Sequence, residues 1–154
     1  MNTQSAKTWG LLARHVTALS LIWFASNANA QVSVWVNNSS DDAVGRQLAF
    51  ELREGIRRSA AMELADRMQD GRLYIRLVTL DPDDEGRRTV YSATLTMQTF
   101  HETPVEMYLT SLVGTCGRNR VAECSRGLMA RVDEQATDLR RLLRDALDAE
   151  RRRK

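Results

Sequence analysis

Val32, Val34 and Val36 alternate with Ser33 and Trp35, the period-two spacing of a strand with one face toward a core. Asn37-Asn38-Ser39-Ser40 breaks the alternation, and Ser40 or Asp41 is placed to cap a helix whose first turn carries Asp41 and Asp42, charges favoured at a helix amino terminus. In that helix Val44, Leu48, Leu52, Ile56 and Ala60 recur every four residues, with Gly45, Ala49 and Ser59 beside them. One stripe therefore faces a sheet. Arg46, Arg53, Glu54 and Arg57 lie off the stripe, and Phe50 with Ala43 points away from it, a candidate contact for a partner. Between Ala60 and Gln69 the pattern supports either a continued helix or a short strand from Met62 to Ala65.

Asp70-Gly71 signals a turn, and three alternating segments follow: Arg72 to Leu80, Thr89 to Phe100, and Val105 to Val113. The connections Asp81-Pro82-Asp83-Asp84-Glu85-Gly86-Arg87-Arg88 and His101-Glu102-Thr103-Pro104 have turn composition, so the three read as an antiparallel meander. Leu73, Ile75 and Leu77, then Tyr91, Ala93, Leu95 and Met97, then Val105, Met107 and Leu109 form its apolar face. Arg76, Thr94, Thr96, Glu106 and Thr110 fall on the other face, which is expected to be wet.

A second amphipathic pattern runs through Val121, Cys124, Leu128, Val132, Gln135, Leu139, Leu142 and Ala146. A helix of about 30 residues would be near 45 Å long, against about 33 Å for ten-residue strands. Its last two turns are expected to overhang the domain and end in Arg151-Arg152-Arg153-Lys154, charges suited to a helix carboxyl terminus. The spacing of Leu128, Val132, Gln135, Leu139, Leu142 and Ala146 resembles a short coiled-coil seam. Leu139, Leu142, Arg151, Arg152 and Arg153 are therefore candidate contacts for docking or for weak self-association through this helix, and a solvated end is the alternative.

The order strand, helix, three strands, helix predicts an α+β two-layer sandwich: a mostly antiparallel four-stranded sheet with two helices on one face. Residues 31–143 form one domain in this reading and residues 144–154 an overhanging basic end. The segment Val34-Trp35-Val36 leading through Leu48 to Ile56 and Ser59, with this element order, resembles the amino-terminal domain of TolB and kindred bacterial envelope domains, including lipoprotein activators of cell-wall synthases. The resemblance spans roughly Val32 to Leu143 and matches no diagnostic motif. It implies binding to other envelope proteins and carries over no functional residue.

Residues 1–30 differ from the rest. They contain no Asp or Glu, carry Lys7 and Arg14, and hold an apolar run from Val16 to Phe24 followed by Ala28-Asn29-Ala30. A positive start, a short apolar run and an Ala-x-Ala site are the parts of a cleavable signal peptide, which predicts release before Gln31 into the periplasm or the medium. The run is shorter than the roughly 20 residues that span a bilayer. Removal would take two of the 22 basic residues and none of the 20 acidic ones, leaving a chain of balanced charge. Neutrality and few aromatics argue against nucleic-acid binding.

Cys116 and Cys124 are the two cysteines. In an oxidising compartment they are expected to form a structural disulfide; a Cys-x-x-Cys spacing or a histidine to complete a zinc site is lacking.

Chemistry is thinly supplied. His101 lies in a strand connection beside Glu102, with no partner nucleophile in sequence. The serines lack a Gly-x-Ser-x-Gly elbow, and no phosphate-binding or dinucleotide loop occurs. Asp81, Asp83, Glu85 and Gly86 match positions one, three, five and six of a calcium loop, but position twelve is Ser92 where a bidentate Glu is required. No catalytic residue, metal or cofactor is assigned. The expectation is a non-enzymatic envelope interaction module, with a small hydrolase or redox factor using His101 or the cysteine pair as the alternative.

Overall fold

The computed structural model describes residues 31–99 and 105–153. The expected signal peptide, His101 and Lys154 lie outside the described residues. The elements are β1 (Val32–Ser40), α1 (Ala43–Arg57), β2 (Met62–Leu64), β3 (Leu73–Leu80), β4 (Arg88–Gln98), β5 (Glu106–Gly117) and α2 (Val121–Arg151). The α+β two-layer arrangement is as expected, but the sheet has five strands, in the order β2-β1-β3-β4-β5, and not four. The additional strand is Met62–Leu64, which pairs parallel to β1 from Val32↔Met62 to Val34↔Leu64.

β1 runs on through Asn37–Ser40, where the side-chain pattern breaks, because β3 pairs parallel along it from Val34↔Leu73 to Ser40↔Thr79. A ladder of backbone hydrogen bonds needs no apolar alternation to form. The Ala65 N–H donates to the Val34 carbonyl (2.9 Å) and the Arg72 N–H to the Ser33 carbonyl (2.8 Å). Between these bonds the chain crosses from one side of β1 to the other through a short 3-10 turn, Met68–Asp70.

β3, β4 and β5 form the expected antiparallel meander. A register shift between Leu95 and Thr96 leaves an extra residue in β5. This corrects the expected face of the third segment. The change of face lies beyond the bulge, where Thr110, Leu112 and Cys116 stand opposite the core residues Leu95, Ala93 and Thr89; before it Met107 stands opposite the core residue Met97 as expected, although Val105 and Met107 are about half exposed.

Both helices cover one face. Val44, Leu48, Ala49, Leu52 and Ile56 of α1 and Val121, Leu128, Val132, Ala136 and Leu139 of α2 close over Val32, Val34, Val36, Leu73, Ile75, Leu77, Ala93 and Leu95. α1 and α2 also pack on each other. The cap of α1 is Asp42 and not Ser40 or Asp41: its carboxylate accepts the Gly45 N–H at 2.6 Å. α2, with 31 residues, is about 46 Å long, about twice α1. Its buried stripe passes through Ala136, with Gln135 only half buried, and the apolar contact fades at Leu143.

Candidate interaction surface

Alternation in a strand sends every second side chain to the face the helices leave uncovered. On β1 these are Ser33, Trp35, Asn37 and Ser39; on β3, Tyr74, Arg76, Val78 and Leu80. Their neighbours on β4 are Thr96, Thr94, Ser92 and Val90. Ser111, Val113 and Thr115 continue these rows onto β5.

The face has three zones. At one end Trp35 and Tyr74 meet edge to face with ring centroids 6.0 Å apart. The crossing segment closes over them: the Ser33 hydroxyl donates to the Asp70 carbonyl at 2.5 Å, and Tyr74 is buried. Burial, with the Glu106 charge adding to it, pushes the Tyr74 hydroxyl above its usual pKa. In the middle Arg76 forms a bidentate ion pair with Glu106, one bond at 3.0 Å, and the Thr96 hydroxyl donates to the same carboxylate. The Arg76 guanidinium holds Glu106 below the usual carboxylate range, against an opposing contribution from burial. Thr94 and Ser111 share a hydrogen bond of 3.2 Å beside them.

The third zone is apolar. Val78, Ser92 and Val113 make one row and Leu80, Val90 and Thr115 the next. Exposure of the four aliphatic side chains runs from 36% for Val90 to 76% for Val113. Single exposed aliphatic residues are ordinary, but four on adjacent strands form a patch on the order of a few hundred Å², the size that marks interaction sites. Residues at even positions of Arg72 to Leu80 carried the signal in the sequence: Val78 and Leu80 lie on the face assigned to water.

Where β1 and β3 end, beside the start of α1, Asp42 gathers a buried polar node. Its second carboxylate oxygen accepts from Thr79 (2.7 Å) and Thr89 (2.9 Å), and Ser40 lies 2.8 Å from the Thr79 hydroxyl. Burial acts to raise the Asp42 pKa, but the bonds from Thr79, the Gly45 N–H and Thr89 outweigh it and leave the pKa below its ordinary value. The Asp42 carboxylate thus ties the start of α1 to Thr79 of β3 and Thr89 of β4, so the node is a structural joint.

The acidic loop is likewise internally matched. Asp81 accepts the N–H groups of Asp83 (3.1 Å) and Gly86 (2.5 Å), Asp83 pairs with Arg88, and Glu85 pairs with Arg87. Its carboxylates therefore shape a turn. Among the described residues no group of three or more His, Cys, Asp or Glu is placed to hold a metal ion.

Cys116, at the end of β5, is bridged to Cys124 in the first turns of α2, with Cα atoms 6.1 Å apart, within the usual range for a disulfide. Cys116 is fully buried. A depression of about 130 Å³ lies alongside, lined by Thr115, Gly117, Arg120, Glu123 and Cys124, well below the roughly 300 Å³ of a small-molecule site.

The residues selected from sequence are dispersed. Phe50 is 57% exposed on the outer side of α1. Leu139 is 2% exposed and belongs to the core, which corrects its selection as a contact: with Leu128 and Val132 it is the part of the supposed coiled-coil seam that is buried within this domain. Leu142 and Ala146, the last two positions of that seam, are exposed, and Arg151, Arg152 and Arg153 are exposed at the end of α2. Arg151 lies 3.7 Å from Asp148. Among the described residues no helix is long and apolar enough to cross a membrane.

Comparison with models of protein families finds none that matches this chain. Comparison with curated proteins likewise finds no match.

Proposed function

We propose that the chain is an exported, non-enzymatic protein-interaction module of the bacterial envelope, and that it binds its partner through the apolar end of the open sheet face. The single observation that carries this reading is the block Val78, Leu80, Val90 and Val113, exposed together on adjacent strands. Burying such a block would contribute about 25 cal/mol per Å² removed from water, and the neighbouring Arg76, Glu106, Thr94 and Ser111 supply a polar rim. The disulfide and the expected signal peptide support an oxidising compartment beyond the membrane. The resemblance in element order to TolB-type envelope domains supports a binding role.

The test is affinity capture from envelope extracts with the wild-type protein and with Leu80→Glu/Val90→Glu. Both positions are exposed, so the variant should fold with an unchanged far-UV circular dichroism spectrum. A specific partner recovered by the wild type and lost by the variant is the expected result. Equal recovery by both, with loss instead on Phe50→Ala or on deletion from Leu142 onward, would transfer the contact to α1 or to the end of α2.

A further inference from the structure

We infer that β5 is a pairing edge for a second copy of this chain, so that two molecules join antiparallel along β5 into one continuous ten-stranded sheet. A strand at the edge of a sheet presents a row of unpaired backbone groups, and proteins ordinarily protect such a row with charge, proline, short length or a covering element. β5 has 12 residues, EMYLTSLVGTCG, with one charge and no proline. That charge, Glu106, stands at the first position of β5, outside the stretch from Ser111 to Thr115, and is paired with Arg76 on β3. Among the described residues no strand pairs with its outer side.

Which backbone groups face outward follows from the register. The Arg118 N–H donates to the Arg87 carbonyl, and hydrogen-bonded pairs alternate with non-bonded ones along an antiparallel ladder. Cys116, Gly114, Leu112 and Thr110 therefore turn their backbone groups to β4, opposite Thr89, Tyr91, Ala93 and Leu95. Ser111, Val113 and Thr115 turn theirs to the free edge. These three also point their side chains to the open face, and Val113 has the largest exposure among the large apolar residues.

A second copy of β5 is the occupant that this edge fits. With the two-fold axis at Val113, Ser111 of one copy meets Thr115 of the other and Val113 meets Val113. Hydroxyl faces hydroxyl, and a β-branched side chain faces its equal, both favourable cross-strand pairs. Antiparallel pairing also carries the acidic start of β5, Glu106, toward the basic segment Arg118–Arg120 that follows β5 in the other copy. Opposite charges then meet at both ends, whereas parallel pairing would set like against like. The half-exposed Leu112, which borders the core at this edge, falls opposite Gly114 of the other copy and diagonal to its Leu112, which gives it added cover.

The edge shares Val113 with the sheet-face contact proposed above, but its test leaves Leu80 and Val90 unchanged and reads self-association of the purified protein, which capture of another partner does not report. The test is sedimentation equilibrium of the purified, oxidised protein over a wide concentration range, with Val113→Pro and Val113→Lys. Proline at this position removes only an outward N–H, a placement edge strands tolerate. Lysine places like charges opposite each other at the axis. The wild type is expected to form a dimer. Each variant is expected to weaken it roughly tenfold or more, with the monomer's circular dichroism spectrum retained. Should the proline variant unfold, the lysine variant decides. A wild type that stays monomeric throughout, or a dimer that persists unweakened in a folded variant, would overturn the inference.

Discussion

Two glycine-to-alanine substitutions, chemically identical and both within helices, should change stability in opposite directions. A Cβ on Gly127 meets nothing within 4 Å. Alanine there should stabilise α2 by about 1 kcal/mol, the propensity difference between the two residues. A Cβ on Gly45 would lie 1.9 Å from the Thr79 Oγ1, 2.6 Å from the Thr79 Cβ and 2.7 Å from an Asp42 carboxylate oxygen. Thr79 Cβ is fixed to β3 and cannot rotate away, so the start of α1 must lift from the sheet. Overpacking of this kind costs roughly 1–3 kcal/mol, and weakening the Asp42 cap about another 1 kcal/mol. The gain in helix propensity recovers about 1 kcal/mol. Gly45→Ala should therefore lose roughly 1–3 kcal/mol net. Its thermal midpoint should fall by several degrees, on the scale of about 4 °C per kcal/mol for a domain of this size. Urea unfolding followed by far-UV circular dichroism measures both variants on one axis, with the midpoint moving and the slope unchanged. If Gly45→Ala is as stable as Gly127→Ala, the close approach of α1 to Thr79 is wrong, and with it the Asp42 joint.

Three further outcomes follow from the same packing. Replacing both Cys116 and Cys124 by Ala should cost about 2.5 kcal/mol, the loop-closure value for a short bridge; urea midpoints with the wild type oxidised and reduced check it, and equal midpoints would contradict it. Leu139→Ala should lose about 2–5 kcal/mol as a core truncation, while Leu142→Ala should stay within about 0.5 kcal/mol, and similar losses at the two would mean that the end of α2 is packed differently. The folded-state pKa values of Asp42 and Glu106 lie below their ordinary values. Their stabilisation is thus full above the unfolded pKa of about 4 and is lost as pH falls through the lower folded values; thermal midpoints measured from pH 6 down to pH 2 should show a shallower acid decline in Asp42→Asn than in the wild type.

Much of the fold was legible because periodicity within a segment is a local property. Val32-Val34-Val36 and Leu73-Ile75-Leu77 alternate, and Val44-Leu48-Leu52-Ile56 repeats at helical spacing, so strand and helix types, their order and their inward faces follow from spacing alone. The candidate surface was less legible. Val78 and Leu80 were visible as apolar residues on the wet side of β3, but nothing local says that Val90 and Val113 stand beside them. That depends on the registers β3·β4 and β4·β5, and on a bulge at Leu95/Thr96 that moves the inward face of β5 from Met107 to Thr110, Leu112 and Cys116.

Spacing of side chains along the chain determined one stripe on each helix, the meander and the cysteine pair brought to either end of a short loop. Tertiary structure decided the fifth strand at Met62–Leu64, the extension of β1 through Asn37–Ser40, and the burial of Leu139 with Leu142 left outside. The physical reason is the same in each case: a backbone ladder or a buried stripe requires a second surface from elsewhere in the chain, and the identity of that surface is not written in the segment it covers.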